Sequence, residues 1–291
     1  MAANSSSSSL NYFQHCSDVK VGDAISVSFV VAHVLFLVPV SILILYLGHR
    51  RWRQQRSFAT TSHSDIFTYH SAVMELIFAV GHILYFCGEY FGLLGLMKVG
   101  FWGTATFYPA HTYFHILTCV ERYLAVVHPV LYLRHLRQSG GVRIRNISTG
   151  CVWLLYCGWI GVEALHFPLL PYIPIFCLLV SSLVVMSFCS LSVLCVLLRR
   201  GPGQTSGNRE QVDKTKQRAF QTITAITGVL WLFFLGVLVC NVLDNSHLLS
   251  YSDGCVVMLS GSWFSLPSSL VLPLLFLLRE GKPLCCHCRK T

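Results

Sequence analysis

Seven long apolar stretches dominate this sequence of 291 residues and restrict it to very few architectures. None of them contains Lys or Arg, and their only acidic residues are Glu75 and Glu163. A helix needs about 20 apolar residues to cross a bilayer, and lipid offers the backbone no hydrogen-bond partners, so each stretch predicts a transmembrane helix. The predicted crossings are Ala24–Leu47, Ile66–Phe86, Val99–Val120, Ile147–Leu165, Phe167–Leu198, Ala219–Leu243 and Cys255–Leu278.

The shortage of charge excludes a soluble domain. Only 11% of the residues are charged and 54% are hydrophobic, whereas soluble domains carry about 25% charged residues. A transmembrane barrel would show short alternating segments instead. Without an internal repeat, the plan of many transporters is not supported. The sequence therefore predicts an all-α fold, a seven-transmembrane helix bundle.

The basic residues predict how the chain lies in the membrane. The segments 48–65, 129–146, 199–218 and 279–291 hold 4, 4, 6 and 4 Lys and Arg residues, eighteen together, whereas the segments on the alternate side hold only Lys20 and Lys98. Cytoplasmic loops collect positive charge. We therefore expect an extracellular amino-terminal segment at 1–23, a membrane domain at 24–278 and a cytoplasmic tail at 279–291, in contact with lipids and not with nucleic acid. Residues 1–10 lack the pattern of a cleavable signal peptide, so the first crossing serves as the signal anchor.

Two cysteines and one asparagine mark the predicted outer face. Cys16 precedes the first crossing and Cys255 begins the seventh, which makes a disulfide between them possible, although sequence alone leaves the pairing open. Asn4 begins an outward-facing glycosylation sequon. A second sequon at Asn146 falls on the cytoplasmic side and should stay unmodified.

The tail carries clustered cysteines next to basic residues. Cys285, Cys286 and Cys288 follow the seventh crossing closely. This pattern is typical of palmitoylation, on a short membrane-lying helix after the seventh span. A metal site with His287 is the alternative, but structural zinc ligands usually come as separated pairs, so no metal is expected.

The strongest motif lies at the inner end of the third crossing. Glu121-Arg122-Tyr123, followed by an apolar run and His128-Pro129-Val130, closely resembles the signature of rhodopsin-like G-protein-coupled receptors. The resemblance implies that Arg122, held by Glu121 at rest, becomes available to the α subunit of a heterotrimeric G protein, and that Val130 inserts into that partner. An arginine that only anchors the helix at the lipid headgroups is the alternative.

Weaker matches extend the resemblance over the whole membrane domain, with several departures. Glu75 stands where the family has Asp in span two, and Trp153 fits the tryptophan of span four. Met97 replaces the cysteine at the outer end of span three, and Phe276 replaces the tyrosine near the end of span seven. Phe276 has no hydroxyl and cannot donate the hydrogen bond that the tyrosine would donate.

Two polar positions inside the membrane match the sodium site of the family. Glu75 corresponds to the sodium-binding carboxylate, and His111 corresponds to a hydroxyl residue of the same site. We expect the two side chains to face each other as a charged pair or with a shared proton, replacing the ion and making signalling sensitive to pH. An ordinary buried hydrogen bond without a regulatory role is the alternative.

The resemblance also implies a ligand pocket between the outer halves of the helices. Thr104 and Tyr108 should line it, with Glu89 near its rim. Because Thr104 occupies the position where amine receptors carry Asp, a biogenic amine is not expected. A lipid, a small organic molecule or a short peptide would suit an apolar pocket, and packing alone is the alternative role of these residues.

The predicted function is a plasma-membrane receptor that senses an extracellular ligand and activates a heterotrimeric G protein. No catalytic motif is present, so neither an enzyme nor a cofactor is expected. A non-signalling seven-helix protein, such as a decoy or trafficking partner, is one alternative. Another is a haem-binding electron carrier, suggested by histidines in or near the crossings: His33, His70, His82, His111, His115 and His166.

Overall fold

A computed structural model describes residues 20–55, 63–132, 139–166, 172–198, 209–245 and 249–287. These residues are almost entirely helical and contain no strand, which confirms the all-α prediction. The helices are α1 (Lys20–Gln55), α2 (His63–Tyr90), α3 (Leu94–Ala105), α4 (Phe107–Val127), the single turn α5 (Pro129–Leu131), α6 (Ser139–His166), α7 (Tyr172–Leu198), α8 (Arg209–Asn245), α9 (Tyr251–Gly261) and α10 (Ser265–His287).

Six helical stretches in the described part of the chain are long and apolar enough to cross a membrane. They overlap six of the seven predicted crossings and indicate a multi-pass membrane protein. Their bounds are Lys20–Arg53, Asp65–Tyr90, Gly141–Leu165, Ile173–Val196, Ile223–Leu243 and Ser252–Leu274.

The third predicted crossing, Val99–Val120, is not one continuous helix. It is divided between α3 and α4, and the break falls at Thr106. Pro109 is the cause we assign, because a proline ring lacks an N–H and clashes with the carbonyl four residues earlier, here that of Ala105. At the break, the hydroxyl of Thr106 donates a hydrogen bond to the Trp102 carbonyl oxygen at 2.6 Å.

Helix α4 lies in the middle of the bundle. It packs against α2, α6 and α7, while α1 contacts α2, α9 and α10 and so closes the ring of helices around it. Eight of its residues are buried: Phe107, Pro109, Ala110, His111, Thr112, Phe114, His115 and Thr118. A helix surrounded by other helices need not be apolar on every side, so the polar residues of α4 are compatible with its central position. The same polar residues lower the mean hydropathy of α4, which is why it is not one of the six apolar stretches.

Helices α2 and α3 form a close antiparallel hairpin around two glycines. A Cβ on Gly100 would lie 2.7 Å from the Gly81 carbonyl oxygen, and one on Gly88 would lie 2.8 Å from the Met97 Cα. The turn between the helices uses Gly92, whose φ of 66° is a conformation that side chains disfavour. This hairpin holds α3 against the carboxyl-terminal half of α2.

The last membrane stretch is also interrupted. A 3-10 turn, Ser262–Phe264, separates α9 from α10 and lies three to five residues before Pro267. The proline explanation given for Thr106 applies again, because in a regular helix the Pro267 ring would clash with the carbonyl of Trp263. The separate short helix predicted after the seventh span is not present, because α10 continues unbroken to His287. Gly281 weakens a helix by about 1 kcal/mol, which does not end it.

Candidate functional site

A buried polar cluster joins α1, α2 and α4 at the centre of the bundle. We define it as His33, Glu75, His111 and His115, each no more than 2% exposed. Nε2 of His33 lies 2.8 Å from Oε2 of Glu75, and Nε2 of His111 lies 3.3 Å from Oε1. The carboxylate thus lies between imidazoles from two different helices.

The two contacts of Glu75 differ in quality. The contact with His33 has hydrogen-bond geometry. The contact with His111 is within ion-pair range, but neither Oε1 nor His111 has a hydrogen bond of acceptable geometry in the described part of the chain. Hydrogen-bond strength falls steeply as the angle departs from linear, so His33 holds the carboxylate more firmly than His111. The sequence predicts His111 beside Glu75, whereas nothing in the sequence indicates His33 as a partner of the carboxylate.

Aromatic rings enclose this polar cluster. Phe78 packs edge-on against His33 with ring centroids 4.9 Å apart, and Phe107 stacks on His111 at 5.0 Å. The rings of His111 and His115 meet at 4.2 Å. Because a charge buried among such rings needs compensation nearby, the carboxylate must be balanced within the cluster, by an imidazolium or by a shared proton.

A cavity of about 260 Å³ opens between the helices directly beside the cluster. Thr104 and Tyr108 line it, whereas Glu89 is not among its described lining residues and lies exposed near the carboxyl-terminal end of α2. Phe78 belongs to the cavity wall and also touches His33. Phe78 therefore connects the cavity to the buried polar cluster, so a displacement of its ring at the cavity can alter the contact with His33.

The wall of the cavity is mostly apolar, and its described residues include no Asp, Glu, Lys or Arg. Its imidazole is His82, whose Nδ1 lies 3.0 Å from the Phe78 carbonyl oxygen. Its polar lining consists otherwise of hydroxyls, a thiol and the Asn241 amide.

The Glu-Arg-Tyr segment lies at the opposite end of α4 from the cavity. Oε1 of Glu121 accepts a hydrogen bond from the hydroxyl of Tyr132 at 3.1 Å, and the hydroxyl of Tyr123 lies 3.2 Å from Nε2 of His128. These contacts fasten the chain after α4 to its last turns. Arg122 is half-buried, while Val130 is 77% exposed.

A second contact group, which sequence reasoning did not find, ties the ends of α1, α2 and α10 together. Nη1 of Arg51 lies 3.4 Å from Oδ2 of Asp65, and the guanidinium lies 5.3 Å from the centre of the Phe276 ring. Tyr69 meets Phe276 edge-on at 5.5 Å. In the sequence, Arg51 is only one of the four basic residues of the segment 48–65. Its neighbours are distant in sequence, so no local pattern could have identified them.

Several predicted sites fall outside the described residues. Asn4, Cys16 and Cys288 are among them, and so are the side chains of Cys285 and Cys286. Cys255 is fully buried and disulfide-bonded, and its partner lies outside the described side chains. The part of the chain that the structure describes contains no group of three His, Cys, Asp or Glu suited to hold a metal ion.

Comparison with models of known protein families finds no match to this chain, and comparison with curated proteins finds none either.

Proposed function

We propose that this protein is a G-protein-coupled receptor of the rhodopsin-like type. The observation that carries the proposal is the order of three features along the buried helix α4. Tyr108 lines the cavity, His111 contacts Glu75 one turn further on, and Arg122 lies near the other end. Tyr108 and Arg122 are 14 residues apart, which is about 21 Å along a helix.

The proposal includes a seventh crossing formed by α3 and α4. Helix α4 has 21 residues and is enclosed by its neighbours, so it can cross the membrane without being apolar on all sides. The proposed topology has the amino terminus outside and the carboxyl terminus in the cytoplasm, in the plasma membrane. The distribution of Lys and Arg supports this orientation.

Signalling would start from a change in the cavity. A ligand that binds one helix arrangement better than another shifts the population toward it. Phe78 contacts both the cavity and His33, so occupancy of the cavity can alter how the buried polar cluster holds α1, α2 and α4 together. Because α4 runs from that cluster to Arg122, a shift of α4 changes the cytoplasmic surface.

The cytoplasmic partner would be the α subunit of a heterotrimeric G protein. Arg122 offers a planar, permanently charged group suited to backbone carbonyls and carboxylates. Val130, exposed beside the inner end of α4, offers an apolar contact. A charged group and an exposed apolar side chain near the same end of the bundle are the kind of groups that anchor a protein partner.

Activation of a panel of α subunits in cells tests the proposal, with wild type, Arg122→Ala and Arg143→Ala at equal surface amounts. Arg143 is an exposed arginine at the start of α6 and serves as the matched control. We expect wild type and Arg143→Ala to activate at least one subtype and Arg122→Ala to lose that activity. Equal signals from all three proteins would contradict the proposal.

A further inference from the structure

The hydrogens of the cavity wall show which kind of ligand the cavity fits. Nδ1 of His82 lies 3.0 Å from the Phe78 carbonyl oxygen, which can only accept, so Nδ1 carries the hydrogen of that bond. His82 is half-buried and has no ion pair with a carboxylate among the described residues, so near neutral pH its imidazole is in the neutral form. Its Nε2 is then a hydrogen-bond acceptor with no hydrogen of its own.

Thr104 presents the same polarity. Its hydroxyl donates to the Phe101 carbonyl oxygen at 2.9 Å, and a hydroxyl has only one hydrogen to give. The oxygen of Thr104 therefore has only lone pairs left for a ligand. Two side chains of the wall, from α2 and α3, thus present acceptors.

Tyr108 lies beside two hydroxyl groups that can take its hydrogen, those of Ser262 and Ser265. Ser265 already donates to the Ser262 carbonyl oxygen at 2.6 Å, so toward Tyr108 it can only accept. The other serine and threonine hydroxyls of the wall, the Tyr85 hydroxyl and the Asn241 amide can act as donor or acceptor and do not discriminate.

Size and charge restrict the ligand further. An apolar cavity of about 150 Å³ holds one benzene ring, so about 260 Å³ leaves room for a second fused ring. The rings of Phe29, Phe78 and Phe233 belong to the wall and favour flat, aromatic contacts. A carboxylate or an ammonium group would find no opposite charge among the described residues of the wall, which include no Asp, Glu, Lys or Arg.

We infer that the cavity binds an uncharged compound of one or two rings that carries a hydroxyl or N–H group and donates its hydrogen to His82 or Thr104. The inference rests on the proposed receptor function only in taking this cavity as the ligand site. A molecule of the same shape that lacks the hydrogen loses that bond and leaves the acceptors without a partner, which costs binding.

Three probes of one shape test the inference: 2-naphthol, 2-methoxynaphthalene and 2-naphthoic acid. Binding is measured as the rise in unfolding temperature of the purified full-length protein in lipid nanodiscs at increasing probe concentration. The variant Ala105→Phe, whose larger side chain fills the cavity, is the control for probe dissolved in lipid. The rise in its unfolding temperature is subtracted from that of the wild type. We expect 2-naphthol to bind roughly fivefold more tightly than 2-methoxynaphthalene, and 2-naphthoate not to bind.

The double variant His82→Phe/Thr104→Val assigns the preference to the two acceptors. Both substitutions keep the shape of the wall, and the ratio between 2-naphthol and 2-methoxynaphthalene should fall to about one. Any one of four results would overturn the inference. In wild type, these are binding of 2-methoxynaphthalene as tight as that of 2-naphthol, binding of 2-naphthoate, or no cavity-dependent binding of 2-naphthol. The fourth is an unchanged ratio in the double variant. The readout is independent of signalling, so failure to activate a G protein counts against the proposed function alone.

Discussion

Nε2 of His33, on α1, lies 2.8 Å from Oε2 of Glu75, on α2, and both side chains are almost completely buried. Hydrogen bonds to a charged group contribute roughly 1.5–3 kcal/mol, and leaving one partner unpaired in the interior costs more. This contact therefore fixes α1 against α2 at the depth of the buried polar cluster, beside the helix that we propose transmits the signal.

A double-mutant cycle on His33→Phe and Glu75→Met should give a coupling free energy of about 1.5–3 kcal/mol in unfolding experiments in detergent micelles. The same cycle with His111→Phe should give a smaller coupling, because that contact is longer and lacks hydrogen-bond geometry. His33→Phe with Glu121→Gln is the control. Glu121 lies about 15 Å along α4 from His111, so the two changes should be additive. A larger coupling for His111 than for His33 would contradict this ranking.

Substitution of Gly100 by Ala should destabilise the protein by about 1–3 kcal/mol, because the new Cβ meets backbone atoms of α2 that cannot move aside. Gly95→Ala is the matched control. It lies on the same helix with nothing within 4 Å of a Cβ, and it should be neutral or stabilise by up to about 1 kcal/mol. Unfolding temperatures in one detergent compare the two variants. Similar effects of both would show that the α2–α3 hairpin is less closely packed than described.

The partner of Cys255 is predicted to be Cys16. Peptide mapping by mass spectrometry without reduction should recover the two cysteines in one linked pair, and Cys16→Ser should leave the Cys255 thiol open to alkylation after unfolding. Removal of either cysteine should lower stability by a similar amount, about 2–5 kcal/mol. Recovery of Cys16 as a free thiol in the wild-type protein would exclude the pairing.

Glycosylation tests the proposed orientation. Expressed in animal cells, the protein should carry an N-linked glycan at Asn4 and none at Asn146, since only the outward side meets the glycosylation machinery. The Asn4→Gln variant should lose the mobility shift that a glycosidase produces in wild type, and Asn146→Gln should behave as wild type. A glycan at Asn146 would invert the proposed topology.

Properties carried by one helix could be predicted from the sequence. The apolar runs located six membrane stretches, and the spacing of His111 and His115 placed them on one helix face. The break at Thr106 also had a local signal, since Pro109 lies three residues further on, but the sequence interpretation did not use it.

Contacts between helices could not be predicted in this way. Two contacts join residues far apart in the chain, that of His33 with Glu75 and that of Arg51 with Phe276. Both contacts depend on the rotation and depth of the helices, which no local sequence pattern encodes. The central place of α4 is a property of the same kind. The histidines and the Glu-Arg pair of α4 lower its mean hydropathy. These polar side chains are compatible with the interior of the bundle because other helices surround α4.

Nucleotide exchange on purified G proteins is the most direct test of the receptor proposal. Wild type, Arg122→Ala and Arg143→Ala are reconstituted in lipid nanodiscs, and uptake of a GTP analogue by each α subtype is followed with and without 2-naphthol. We expect wild type and Arg143→Ala to accelerate exchange on at least one subtype, and Arg122→Ala to remain at the rate of empty nanodiscs. Wild type at that same background rate on every subtype, in both conditions, would contradict the proposal that this helical bundle is a G-protein-coupled receptor.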